Sequence, residues 1–137
     1  MLRKCVIAVT ILSFTATIVG VLMWIFFWPK VQRQNAALIA LVVERGTADY
    51  HEEIGEYPSG NSAAEVVAAL LGENLKRKSY LRPEFRNFLN DTGEVLDTWK
   101  RPFRADRQID GSILLRSAGK NGTFDDDDDV TSSLATQ

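Results

Sequence analysis

Hydrophobic and polar positions along this chain fall into three successive patterns. From Cys5 to Trp28 the run is apolar almost without interruption: 19 of its 24 residues are apolar and none is charged. From residue 30 to 57, apolar residues recur at steps of three, four and seven. Ala36, Ile39, Val43, Tyr50, Ile54 and Tyr57 therefore share one face of a helix, with Glu44, Glu52 and Glu53 off that stripe. Beyond Pro58 the apolar stretches become short and are punctuated by turn residues.

The first pattern predicts a membrane span. Twenty-four helical residues reach about 36 Å, enough for a hydrocarbon core of about 30 Å. A cleavable signal peptide has an apolar region of about 7–15 residues ending in small side chains. This run instead ends Trp24-Ile25-Phe26-Phe27-Trp28-Pro29, with indoles suited to a headgroup layer. Arg3 and Lys4 precede it, while Lys30 and Arg33 follow, a slight bias toward a cytoplasmic N-terminus. The expectation is an uncleaved single-pass signal anchor over residues 1–29. Its N-terminus lies in the cytoplasm and its body, residues 30–137, is exported across the inner membrane. Membrane lipid is its first partner.

The second and third patterns predict the body. An amphipathic helix spans 30–57, joined to the anchor through a weak point at Pro29 and ended by Gly55 and Pro58. Ser62-Ala63-Ala64-Glu65 has the spacing of a capping box and opens a second helix over 62–72. Gly72 suits its C-cap. Residues 76–89 read as irregular or briefly helical, and Asn90-Asp91-Thr92-Gly93 as a turn. Strands are predicted from Pro102 to Gln108 and from Ser112 to Ser117, joined through Asp110-Gly111. Helices followed by a hairpin make the fold class α+β.

Composition narrows the chemistry. With 16 Lys and Arg against 18 Asp and Glu, the chain is neither a basic nucleic-acid binder nor an acidic disordered segment. Its single cysteine, inside the apolar run, excludes an intrachain disulfide and a cysteine zinc cage. The lone His51 sits in an exposed polar turn of helix. Gly119-Lys120 fails as a phosphate loop, because residue 114 is Leu and residue 121 is Asn. Residues 76–107 hold nine basic and five acidic side chains. They read as a solvated or docking face rather than a nucleic-acid site, and no nucleic-acid partner is expected. No paired acid–base or nucleophile–base groups stand out, so the chain is read as non-enzymatic.

Three phrases carry a resemblance. Gly55-Glu56-Tyr57-Pro58 ends the long helix. Gly93-Glu94-Val95-Leu96-Asp97-Thr98-Trp99-Lys100-Arg101-Pro102-Phe103 and Arg116-Ser117-Ala118-Gly119-Lys120-Asn121-Gly122-Thr123-Phe124, with Asp128-Asp129-Val130, follow in order. Together they resemble the globular domain of the type II secretion system major pseudopilin and related pilin-like proteins. The resemblance implies a long N-terminal helix packed on a small antiparallel sheet within 94–130. It also implies a structural role in a type II secretion or type IV pilus-like envelope system. Partners would be pseudopilin-like subunits or secretion-system inner-membrane proteins. The family's prepilin-peptidase site, a Gly before Phe-Thr-Leu-x-Glu, has no counterpart here. That departure leaves a second function open, a membrane-tethered pilin-like binding module that does not polymerise.

The resemblance further implies calcium as the cofactor, in the acidic C-terminal loop. Matched by motif position, Asn121 and Asp128 would be side-chain ligands, and Leu115 and Ser117 would offer backbone oxygens. Asn121 stands where the family usually has aspartate. Calcium takes six to eight oxygens, and a divalent cation would relieve the repulsion within Asp125–Asp129. An EF-hand is excluded, since the loop lacks its sixth-position glycine and twelfth-position glutamate.

Overall fold

A computed structural model describes residues 2–133, with side chains from residue 12 onward. The side chains of Arg3, Lys4 and Cys5, on which the charge bias and the start of the apolar run rest, lie outside the described residues. The chain divides into two compact units, Met1–Gln32 and Arg33–Gln137. The boundary falls a few residues beyond the one expected at residue 29.

The first unit is helical and belongs to α1 (Leu2–Ile54), which runs through Pro29. Its described apolar side chains are not packed away. Trp24 is 68% exposed and Phe26 64%, and none of the most apolar 18-residue window is buried. A core helix would hide these residues, whereas a membrane span leaves them for lipid. The chain thus has a helix near its N-terminus long and apolar enough to cross a membrane.

The second unit is built on the rest of α1. Ala36, Ile39, Val43 and Tyr50 are buried as the periodicity requires, and Ala37, Ala40 and Thr47 join them. The small residues allow close approach: a Cβ on Gly46 would stand 3.0 Å from Leu81 and 3.4 Å from Leu70. The helix ends at Ile54 rather than 57, where the Gly55 amide bonds the His51 carbonyl at 2.8 Å. Tyr57 therefore lies beyond it and stacks on the His51 ring at 4.2 Å.

The second helix, α2 (Ala63–Leu70), is shorter than the expected 62–72. Its capping box is formed: Ser62 Oγ accepts from the Glu65 amide at 3.2 Å, and Glu65 Oε2 accepts from Asn61 and Ser62 amides. At its far end the Glu73 amide reaches Ala68 O and the Gly72 amide reaches Ala69 O, a Schellman closure. Val66, Val67 and Leu70 bury its apolar face. A 3₁₀ helix, Pro83–Phe88, inserts Phe85 into the same core.

Strands β1 (Arg104–Arg107) and β2 (Ile113–Arg116) pair antiparallel, Arg104 opposite Arg116 and Arg107 opposite Ile113. Both lie inside the predicted segments, trimmed at their ends. Ile113 and Leu115 point into the core, and Arg104, Asp106 and Arg116 lie on the other face. Isolated bridges extend the pairing: Leu89 with Val95, Leu96 with Pro102, and Ser117 with Val130. Trp99 packs against the core but is only half-buried.

Candidate functional site

The acidic loop follows β2 directly. Ser117 is fully buried and bonded both ways to Val130, amide to carbonyl, at 2.9 Å. From Ala118 to Val130 the chain leaves the sheet and returns to it. Gly119 sits at its neck with φ +60, where a Cβ would collide with the Asp128 carbonyl. Only glycine fits there.

The tight turn before β1 is wired to the neck. Asp97 is 3% exposed. Its Oδ1 accepts from the Trp99 amide at 2.8 Å and the Arg101 amide at 2.9 Å. Its Oδ2 accepts from the Ser117 hydroxyl at 2.6 Å. That hydroxyl in turn accepts from the Gly119 amide at 3.1 Å. Every oxygen of this buried carboxylate therefore has a donor, which is what makes its burial tolerable.

The outer face of the sheet carries the charges. Arg104 and Arg116, directly opposite each other, would repel across the ladder. Asp106 lies between them, accepting from both guanidinium groups at 2.9 Å. Arg104 also holds Asp125 at 2.8 Å and lies over the Phe124 ring, while Arg116 reaches Asp129 at 3.4 Å. These contacts hold the Asp125 carboxyl below its ordinary range, with the Arg104 hydrogen bond the main cause. Arg33 donates to the Asp127 carbonyl at 3.3 Å.

The four residues matched to calcium ligands are placed as follows. Leu115 is buried within β2, its amide bonded to Glu44 Oε1 at 3.3 Å. The Ser117 carbonyl is taken by the Val130 amide. Asn121 is spent on the loop itself, its Oδ1 accepting from the Thr123 amide at 2.7 Å and its Nδ2 donating to Asp126 at 2.7 Å. Asp128 Oδ2 accepts from the Asn121 amide at 2.9 Å. Asp129 Oδ1 is buried without a partner. Among the described residues no three His, Cys, Asp or Glu side chains converge as a metal cage. Of the four matched residues, Asn121, Asp128 and Ser117 therefore already spend an oxygen on hydrogen bonds that hold the loop.

Sequence reasoning missed the residues that organise this region, Asp97, Arg101, Arg104 and Arg116. Their sequence signals were positional: Asp97 and Arg101 stand within the second motif phrase, Arg116 opens the third, and Arg104 lies in the first predicted strand. Within the basic segment 76–107, Arg101, Arg104 and Arg107 bond loop oxygens, Arg107 donating to Pro58 O at 2.8 Å. Lys76 and Lys78 pair with Glu53.

A second feature is an open apolar groove of about 860 Å³ between α1 and the 3₁₀ helix, floored by Leu38, Val42, Leu81, Phe85 and Phe88. Leu38, Val42 and Phe88 are each close to half exposed. No family model, curated protein or solved structure matches this chain.

Proposed function

We propose that this protein is a non-catalytic, membrane-anchored pilin-like component of a type II secretion or type IV pilus-like envelope system. The supporting observation is that the second and third motif phrases, far apart in sequence, bond each other at the base of the hairpin, while the first lies against its turn. Asp97 of the second phrase holds Ser117 of the third. The Tyr57 ring of the first packs where a Cβ on Gly111 would touch it at 3.2 Å, and Arg107 holds the Pro58 carbonyl. The N-terminal helix supplies the tether. The domain it carries offers surfaces rather than reacting groups.

The groove favours the second reading, a tethered binding module that does not polymerise. Exposed aliphatic and aromatic side chains in a concave surface suit a protein contact. One experiment separates the two. The full chain, carrying a photo-crosslinker at Leu38 or Val42, is purified from membranes of its native cell. Ladders of like subunits, or adducts with secretion-system inner-membrane proteins, support the first reading. A single adduct of another kind supports the second, and no adduct at either position counts against both.

A further inference from the structure

We propose that the C-terminal loop is closed by an internal cation, the Arg101 guanidinium, which does the structural work that a bound calcium ion is expected to do in a loop of this kind. Arg101 Nη1 donates to two successive carbonyls at the neck, Gly119 O at 2.7 Å and Lys120 O at 2.8 Å. Two backbone oxygens converging on one positive group is the contact a metal makes, with the cation here carried on a side chain. The loop is shaped to admit it. A Cβ on Gly122 would stand 2.7 Å from Arg101 Cζ, so the glycine opens the space the guanidinium occupies.

The guanidinium is aimed from a fixed base. Asp97 Oδ1 accepts from the Arg101 amide, and the Asp97 amide donates to Arg101 O at 2.8 Å, closing the turn. Lys100 takes φ +64 within that turn, in the left-handed region that favours glycine. The remaining acidic charge is met from the same side of the molecule, Asp125 by Arg104 and Asp129 by Arg116. Two of the oxygens expected to ligate a metal are already committed, Asn121 Oδ1 to Thr123 and Ser117 O to Val130. An arginine remains charged at any pH a protein survives, and its Nη1 carries two N–H donors in a fixed plane, one for each carbonyl. The loop is therefore set independently of divalent ions.

The test uses the full chain in detergent micelles, followed by thermal unfolding in excess calcium, excess magnesium or EDTA. The wild-type transition should fall at the same temperature in all three. Arg101→Met should lower it by about 5 °C, the scale of one lost charge-assisted contact in a small domain. It should also speed proteolysis after Lys120. Arg101→Lys keeps the charge but loses the fork, and should fall between. If Arg101→Met does not accumulate, the wild-type titration alone still decides. A calcium-specific rise of several degrees in wild type overturns the proposal, as does an Arg101→Met transition equal to wild type in EDTA.

Discussion

Ser62 and Glu65 each satisfy backbone amides at the start of α2, and both roles were legible from a four-residue spacing. Ser62→Ala removes the hydroxyl acceptor and should cost about 1 kcal/mol, measured by chemical unfolding of the full chain in micelles. Glu65 adds a pH dependence. The Asn61 and Ser62 amides favour its ionised form and lower its pKa from 4.5. Its folded value lies below its unfolded one, so its contribution is complete above 4.5 and is lost as pH falls through the lowered value. Glu65→Gln should flatten that part of a stability–pH curve, and an unchanged curve would count against the cap. Gly119 is the opposite case. Its need for glycine comes from the Asp128 carbonyl crossing it, a contact made only after the loop has returned. Gly119→Ala should destabilise by at least about 2 kcal/mol, since both the φ and the space are denied. Arg101 was hidden for the same reason: its acceptors are 18 and 19 residues away, and no local pattern marks them.

Among the elements, α1 was legible in its large residues and silent in its small ones. Ile39, Val43 and Tyr50 repeat at helical steps and are buried, but Ala37, Ala40 and Gly46 carry too little hydrophobic contrast to declare a face. For Gly46 the role appears only when Leu70 and Leu81 approach the helix. Ala40 is fully buried, so Ala40→Leu should overpack the core around it and cost about 1–3 kcal/mol by the same unfolding measurement. The hairpin was marked by Asp110-Gly111, where the Gly111 amide closes on Gln108 O at 3.0 Å. Its strands came out shorter than predicted. Pro102 has no amide to donate, and Ser117 pairs with Val130 rather than extending the β1–β2 ladder. The helix expected to reach residue 57 stops at Ile54 because Gly55 takes φ +92, a conformation no helix continues through.

For the whole molecule, composition separated an apolar N-terminal helix from a mixed-charge body before any fold was known. The partition persists as two compact units. In the acidic run the sequence displays the charges and hides their partners. In the folded chain, Asp125 and Asp129 face arginines contributed by the hairpin. The proposed function rests first on α1, long and apolar enough to cross a membrane, tethering a body that the proposal places on the exported side. A reporter enzyme active only in the exported compartment, fused after Gln137 and assayed in membranes washed with carbonate, tests that claim. The expected result is activity that stays in the washed membrane pellet. Activity only from a reporter that works in the cytoplasm, or release of the fusion into the carbonate wash, would contradict it.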